Sequence, residues 1–157
     1  MQKKKSVMFI CSVGGHLTQM LGLKKIFDDY NYVLVTEKTD ITKNMKDKYK
    51  MEYLVYGSRK YLFKYIFILS YNIIKSFILF IKYHPKVIVT TGTHTAVPMC
   101  YIARLFGRKV IFIESFAKRT SPTMAGRMVY PIANTFIVQW ESMLKFYPKA
   151  KFFGGIY

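Results

Sequence analysis

The stretch from Ser6 to Leu21, SVMFICSVGGHLTQML, contains the pattern on which the rest of the chain is built. It begins with an apolar run typical of a buried strand and passes through two glycines into a helical pattern that starts at His16. The same order of apolar strand, polar loop and helix returns several times along the chain. Because parallel sheets covered by helices on both faces contain such strands, the sequence predicts a doubly wound, Rossmann-like α/β fold.

The predicted elements fill the chain as one domain over residues 1–157, which is long enough for a sizeable core. Strands are predicted at residues 6–12, 31–37, 51–57, 86–92, 109–115 and 135–139, with a candidate edge strand at 149–155. Helices are predicted at residues 16–30, 61–83, 96–107 and 125–134, and a short helix or loop at 40–50. The sequence shows no linker, internal repeat or low-complexity tract.

Positive charge is the unusual feature of the composition. There are 25 Lys and Arg residues against 8 Asp and Glu, which gives a net charge of +17, while hydrophobic residues make up 52% and argue against disorder. Such a chain is expected to meet an anionic partner. Nucleic acid, an acidic membrane surface and a phosphorylated substrate all satisfy this expectation.

The two cysteines favour neither a metal site nor a disulfide. Cys11 and Cys100 have no CxxC spacing and no histidine pair at zinc-ligand spacing. We therefore expect two buried thiols in a reduced, cytoplasmic compartment and no bound metal.

The long helix at 61–83, YLFKYIFILSYNIIKSFILFIKY, is apolar around most of its circumference. Its longest uncharged run, Tyr65 to Ile74, is shorter than the ~18 residues of a membrane span. At about 100° per residue, one narrow stripe carries Lys60, Lys64, Tyr71, Lys75 and Lys82. We predict a helix that lies in the membrane interface, with lysines on anionic headgroups. The predicted membrane contacts are Lys60, Lys64, Phe67, Lys75, Phe77 and Lys82. The alternative is a crossover helix that only covers the sheet.

Ligands of doubly wound sheets bind beyond the carboxyl ends of the strands, which selects particular loops. In the first, Gly14 and Gly15 would let backbone amides approach a phosphate at a helix N-terminus. A plain strand-to-helix turn uses glycines too. His16 is a candidate base or phosphate contact, or a histidine with ordinary hydrogen bonds.

Two further loops at this edge carry polar side chains. After the fourth strand, Gly92 permits a sharp turn beside Thr93 and His94, and Thr95 is a plausible helix N-cap. After the fifth strand come Glu114 and Ser115, then Lys118, Arg119 and Ser121. A carboxylate at the end of such an apolar strand must face solvent, a cation or a ligand. The basic residues favour anion contact, and the alternative is a solvated charged loop.

The order of these motifs, SVGGHL, YGSRK, PKVIVTTGTHTAVPMC and then KVIFIESFAKRTSPTMAGRMVYPIANTFIVQW, makes a resemblance visible. The chain resembles the Alg-fourteen-like family of polysaccharide biosynthesis proteins over nearly its whole length. These are bacterial capsular or exopolysaccharide subunits, similar to the membrane-anchoring half of the split N-acetylglucosaminyltransferase of asparagine-linked glycosylation. The block from Ile111 to Tyr157 is the most specific part of the match.

The resemblance implies the N-terminal, acceptor-binding half of a GT-B glycosyltransferase. A separate protein would supply the half that binds the nucleotide sugar, and the acceptor would be a polyprenyl-diphosphate-linked sugar at the cytoplasmic face of the membrane. No cofactor or metal is implied. The expected diphosphate contacts are Ser12, Gly14, Gly15, Gly92, Thr93, His94, Ser115 and Arg119. His16 is the first candidate for a catalytic residue, and Glu114 is the second.

Membrane attachment is expected to rest on the 61–83 helix and on positive charge, because the chain starts with MQKKKSVMFI where the eukaryotic relative has a membrane helix. One rival interpretation is a non-catalytic anchor or enhancer of the partner transferase. Another is a nucleotide- or nucleic-acid-binding protein in which Glu37 meets a ribose. The apolar 61–83 surface argues against nucleic acid as a partner.

Overall fold

The computed structural model describes residues 4–57 and 62–157. Seven strands lie in these two ranges: β1 (Ser6–Ile10), β2 (Asn31–Lys38), β3 (Met51–Val55), β4 (Val87–Thr90), β5 (Lys109–Ile113), β6 (Thr135–Val138) and β7 (Lys151–Phe152). They form one sheet in the order β3-β2-β1-β4-β5-β6-β7, and every neighbouring pair is parallel. The predicted parallel sheet is confirmed, including the short edge strand.

Helices connect the strands of the described ranges: α1 (Gly15–Gly22), α2 (Leu62–Tyr83), α3 (Val97–Leu105) and α4 (Met124–Val129). Short 3₁₀ helices lie at Lys24–Asp29, Met45–Asp47 and Glu141–Lys145. The single helix predicted at 16–30 is wrong, because α1 ends at Gly22. There an added Cβ would lie 3.1 Å from Cδ1 of Tyr157, so the glycine admits that ring. The helix predicted at 125–134 stops at Val129, close before Pro131.

The core lies on both faces of the sheet, as the all-apolar strands predicted. On one face α2, α3 and α4 bury a cluster that includes Ile10, Leu79 and Phe112. On the other face α1 and the first 3₁₀ helix cover a cluster around Phe9 and Phe27. Cys11 and Cys100 are free, fully buried thiols, and burial raises the pKa of each to about 12.

The strand order reverses beside β1, and this reversal determines where a ligand site is expected. From β1 the chain runs outward to β2 and β3, and α2 then carries it back to β4 on the other side of β1. The loops that follow β1 and β4 therefore leave the sheet side by side at its carboxyl edge. Such a switch point is where ligands bind in doubly wound sheets.

One face of α2 packs on the sheet, and the opposite face is exposed. Asn72 accepts a hydrogen bond from the Val55 amide (2.9 Å) and donates one to the Val55 carbonyl (2.8 Å), so it fixes α2 to the end of edge strand β3. The exposed face carries Phe63, Ile66, Phe67, Tyr71, Ile74, Phe77, Ile78 and Ile81. By length and composition Phe63–Tyr83 would suffice to cross a membrane. Only 22% of its most apolar stretch of 18 residues is buried in the protein.

One lysine of the stripe is paired within the protein. Lys82 makes a 2.7 Å ion pair with Glu52, yet 57% of its side chain is exposed, so its contact with a headgroup stays a prediction. Lys64 is exposed, and Lys75 lies half-buried with its Nζ 5.7 Å from the centre of the Tyr71 ring. Phe67 is exposed, as is Phe77. Lys60 lies outside the described residues.

Candidate functional site

His16 joins the two loops at the switch point. Its Nδ1 lies 2.7 Å from the Thr91 carbonyl oxygen, and the Thr91 hydroxyl donates to the His16 carbonyl at 2.9 Å. Because a carbonyl can only accept, Nδ1 carries the hydrogen in this contact. The neutral ring therefore keeps its lone pair on Nε2, where it can take a proton, and a protonated ring can donate from Nε2 to an anion.

Glu37, at the end of β2, is hydrogen-bonded to both of these loops. Its Oε1 accepts a 2.6 Å hydrogen bond from the Thr95 hydroxyl, and its Oε2 accepts a longer one, 3.4 Å, from the Val13 amide. Only 2% of Glu37 is exposed, and this burial raises its pKa although the two hydrogen bonds act against the shift. The carboxylate is thus unavailable to a ribose, and that interpretation of Glu37 is wrong.

The loop after β4 is held in a strained conformation. Gly92 has a φ of +102° and Thr93 a φ of +80°, which is a genuine outlier for a β-branched residue. A Cβ on Gly92 would lie 3.3 Å from the Phe112 ring and 3.5 Å from Cε1 of His16. The Thr93 hydroxyl oxygen is buried and has no hydrogen-bond partner among the described residues. Such strain, with an unsatisfied hydroxyl, is typical of a ligand-binding loop.

The N-cap predicted at Thr95 is wrong. Its hydroxyl is bound to Glu37, and α3 follows Ala96 without a side-chain cap. Pro98 does lie in the first turn of α3. The Thr95 hydroxyl, which follows the turn at Gly92, therefore binds the Glu37 carboxylate instead of capping the helix.

The loop after β1 brings uncapped backbone amides to the same place. Gly14 has a φ of +76°, and no side chain caps α1, so the amides of its first turn lack intrahelical acceptors. An added Cβ on Gly15 would meet nothing within 4 Å, which leaves open space beside these amides. Ser12 is buried, and its hydroxyl donates to the adjacent Val13 carbonyl at 3.3 Å, so it supports the loop from inside.

Two adjoining depressions open at this point. The polar pocket has a volume of about 170 Å³ and is lined by His16, Thr93, His94, Thr123, Met124 and Ala125. The apolar groove, of about 500 Å³, is lined by Tyr65, Leu69, Ile73, His94, Val97, Pro98, Tyr101, Ile102, Met124 and Met128. His94 and Met124 line both, so the two spaces are adjacent.

Glu114 lies beneath the pocket rather than in it. It is 1% exposed and accepts hydrogen bonds from the Thr123 hydroxyl (2.9 Å) and the Tyr147 hydroxyl (2.8 Å), as well as from the Ser115 amide (2.8 Å). Burial, followed by the charge of Glu114, raises the pKa of Tyr147 above its ordinary value. The carboxylate therefore holds Thr123 at the pocket wall, and the catalytic role expected of Glu114 stays a prediction.

The basic residues of the loop after β5 do not line the polar pocket. The Arg119 guanidinium lies 4.3 Å from the centre of the Trp140 ring and lines a separate depression of about 620 Å³ with Lys118, Ser121 and Ser142. Ser115 is buried, and its amide is bound to Glu114. The structure thus brings together His16, Thr93 and His94, with Gly14, Gly15 and Gly92 shaping the loops, but not Ser115 or Arg119.

Thr123, Met124 and Ala125 line the polar pocket although the sequence did not point to them, and Thr123 is the polar one of the three. It is the N-cap of α4, and its hydroxyl oxygen accepts from the Gly126 amide at 2.8 Å. A Thr followed by the helical pattern MAGRMV is an N-cap signal that could have revealed it. In residues 4–57 and 62–157 no group of three His, Cys, Asp or Glu side chains is arranged to hold a metal ion.

The chain matches the model of one protein family over almost its whole length. A family model described as "Oligosaccharide biosynthesis protein Alg14 like" matches residues 7–156. The chain belongs to the Alg14-like family. The resemblance seen in the sequence motifs is therefore confirmed over almost the whole chain.

Curated relatives from eukaryotes match the Alg14-like chain. The UDP-N-acetylglucosamine transferase subunit ALG14 of Debaryomyces hansenii is 28% identical, and the match covers 95% of this chain and 75% of the relative. The human subunit of the same name is 26% identical, with 96% and 82% covered. The Candida albicans subunit is 36% identical over a shorter match, which spans 54% of this chain and 41% of that relative.

Solved structures show the fold of the Alg14-like chain. Acinetobacter baumannii MurG superposes with a TM-score of 0.72 at 16% identity, covering 88% of this chain and 42% of MurG. The UDP-N-acetylglucosamine 2-epimerase of Rickettsia bellii gives 0.72 at 13% identity, covering 92% and 41%. The predicted Rossmann-like fold, equivalent to the N-terminal half of a GT-B glycosyltransferase, is confirmed.

Proposed function

We propose that this protein is the acceptor-binding and membrane-anchoring subunit of a two-component glycosyltransferase. With a separate donor-binding subunit, it would transfer a sugar from a nucleotide sugar to a polyprenyl-diphosphate-linked acceptor. The observation that carries the proposal is the polar pocket at the switch point, which His16 and the strained Thr93 line beside an apolar groove. His16 lies in the first turn of α1, which has no side-chain cap. The names of the relatives, UDP-N-acetylglucosamine transferase subunits, support both the reaction class and the need for a partner.

In this proposal the diphosphate binds where its charge is best compensated. The amides at the start of α1 and the Thr93 hydroxyl donate to its oxygens, with His94 at the rim. The open space beside Gly15 admits the phosphate groups. The surrounding charge of +17 attracts the anionic acceptor to the surface.

His16 acts as the general base of the transfer. The acceptor hydroxyl gives its proton to Nε2 as its oxygen forms a bond to the anomeric carbon of the donor sugar. The bond from that carbon to the nucleotide diphosphate breaks at the same time, and the leaving diphosphate carries away the electron pair on the donor-binding side. The Thr91 carbonyl, hydrogen-bonded to Nδ1, stabilises the resulting imidazolium.

The exposed face of α2 anchors the domain to the cytoplasmic face of a membrane. The opposite face is fixed to the sheet through Asn72 and through buried Leu79 and Phe80, so spanning a bilayer would require α2 to leave its own core. A helix that binds protein on one side and lipid on the other therefore lies in the interface plane. Lys64 and Lys75 are placed to reach anionic headgroups.

The metabolic setting follows from the family resemblance in the sequence. We propose capsule or exopolysaccharide biosynthesis, whereas the relatives described above come from yeasts and from human. Isolation of the polysaccharide from a strain that lacks this chain tests the setting. Loss of one sugar from the repeating unit supports it, and an unchanged polysaccharide contradicts it.

Reconstituted transfer tests the catalytic role. The full chain and its donor-binding partner are purified together, and transfer from UDP-N-acetylglucosamine to a polyprenyl-diphosphate-linked sugar is measured. We expect His16→Ala to lower kcat by about 10²–10⁴-fold, the usual contribution of a general base. Thr18→Ala, on the exposed side of the same helix, is the control and should retain activity.

The result also separates this proposal from its rivals. Unchanged turnover of His16→Ala in an intact complex would identify a non-catalytic anchor or enhancer. Equal transfer by the partner alone would remove this chain from the reaction altogether.

A further inference from the structure

We propose that the apolar groove binds the first isoprene units of the acceptor, the part of the polyprenyl chain that directly follows the diphosphate. The proposal rests on the proposed function, since it names the lipid portion of the same acceptor. The groove lies between α2, α3 and α4, and Leu69, Val97 and Ile102 contribute to its walls. Its volume of about 500 Å³ falls within the ~300–1,000 Å³ of small-molecule sites.

The position of the groove next to the polar pocket selects the occupant. Because His94 and Met124 line both spaces, a ligand that fills them must be anionic at one end and apolar immediately after it. A prenyl diphosphate has this chemistry, whereas a free nucleotide would place a polar ribose in the groove. A protein helix would fill the groove but would leave the amides and the Thr93 hydroxyl of the polar pocket unused.

The lining suits a flexible hydrocarbon chain. Met124 and Met128, on α4, are unbranched and adaptable, and both are substantially exposed. Tyr65 and His94 meet edge to face with ring centroids 5.4 Å apart, at the boundary between apolar and polar lining. The groove can therefore follow a chain with several conformations while the diphosphate is held at one end.

Ile73 shows how the chain would leave the groove. It lines the groove and is 44% exposed, and it lies on the same helix as the exposed apolar face. A polyprenyl chain that leaves the groove past Ile73 thus passes onto the α2 surface that we assign to lipid. The acceptor need not cross polar protein surface between the membrane and the polar pocket.

Binding to the full chain tests this inference with two defined probes. Farnesyl diphosphate carries three isoprene units, and inorganic diphosphate carries none. Affinities are measured by titration calorimetry below the micelle concentration of the lipid. We expect the wild type to bind farnesyl diphosphate at least about tenfold more tightly than inorganic diphosphate, because apolar surface is buried in the groove.

A matched pair of substitutions on α2 locates the preference. Ile73→Gln changes the groove, whereas Ile78→Gln makes the same change on the exposed face of the same helix, outside the groove. We expect Ile73→Gln to lose the preference for farnesyl diphosphate while its affinity for inorganic diphosphate stays the same. Ile78→Gln should retain both. Met128→Gln provides a second groove variant if Ile73→Gln folds poorly.

Each other outcome overturns a defined statement. Equal affinity of the wild type for both probes would overturn the groove and leave the diphosphate pocket standing. A preference that survives both groove variants would place the prenyl chain elsewhere. Failure to bind either probe would contradict the proposed function itself, and the groove with it.

Discussion

The loops that follow β4 and β5 start from neighbouring strands and use their polar residues in opposite ways. After β5, the buried carboxylate of Glu114 is surrounded by donors and fixes Thr123 and Tyr147. After β4, Thr93 is held at a positive φ with a buried hydroxyl that has no partner among the described residues. The saturated group contributes to the scaffold, and in our proposal the strained, unsatisfied one belongs to the ligand site.

Gly126→Ala gives the largest expected effect, because it breaks the saturated loop. An added Cβ would collide with Glu114 Oε2 and the Tyr147 hydroxyl, and no flexible side-chain end can yield without losing those hydrogen bonds. We expect the free energy of unfolding to fall by about 3 kcal/mol or more. Urea unfolding, followed by the fluorescence of Trp140, measures it.

The control is Gly15→Ala in α1, where an added Cβ meets nothing within 4 Å. Its stability should remain within about 1 kcal/mol of the wild type. If Gly126→Ala proved as stable as Gly15→Ala, the Glu114 cluster would not be the scaffold that we describe.

Thr93→Val and Thr95→Val compare an unsatisfied hydroxyl with a bonded one inside a single loop. Valine keeps the shape of threonine and carries a methyl group in place of the hydroxyl, so the hydrogen-bonding group is removed. We expect Thr93→Val to retain stability and to weaken acceptor binding about tenfold. Thr95→Val should lose about 1–3 kcal/mol of stability, since it leaves the buried Glu37 without its 2.6 Å hydrogen bond.

Thermal unfolding and the KM for the acceptor measure these two effects separately. A loss of stability in Thr93→Val without any change in KM would mean that its hydroxyl belongs to the scaffold after all.

The smallest expected effect is a dependence on pH that comes from Glu37. Burial raises its pKa above the ordinary value of 4.5, so near and above that pH the folded protein holds this proton more firmly than the unfolded chain. Stability from this group is therefore greatest at low pH and declines as the pH rises from 4.5 through the raised pKa. Glu37→Gln removes the dependence.

Urea unfolding of both proteins between about pH 4 and pH 7 measures this difference. The wild type should lose stability relative to Glu37→Gln as the pH rises. The opposite slope would show that the hydrogen bonds from Thr95 and Val13 outweigh burial.

The sequence was sufficient to predict the parallel sheet and the meeting of the loops after β1 and β4 at its edge. All-apolar strands indicate a sheet that is buried on both faces, and parallel connections place these two loops together, which brings His16 near Gly92. The exposed apolar face of α2 was also predictable, because the spacing of its apolar residues covers more of the helix than the sheet can bury.

Tertiary contacts decided the features that the sequence did not reveal. Glu114 looked available at the end of its strand, but Tyr147 and Thr123 reach it from later segments. Arg119 stacks on Trp140, and Lys82 is paired with Glu52 across 30 residues of chain. No local pattern indicates such partners, and none indicates the backbone strain at Thr93.

The two hydrogen bonds between Asn72 and Val55 fix α2 to the edge of the sheet. A bilayer that receives the exposed face of α2 is then held at a fixed distance from the polar pocket, of the order of one helix diameter, about 10–12 Å. In the function that we propose, the subunit would therefore reach only a diphosphate that lies at one height above the hydrocarbon. A change in headgroup thickness would then alter turnover without any change in the pocket.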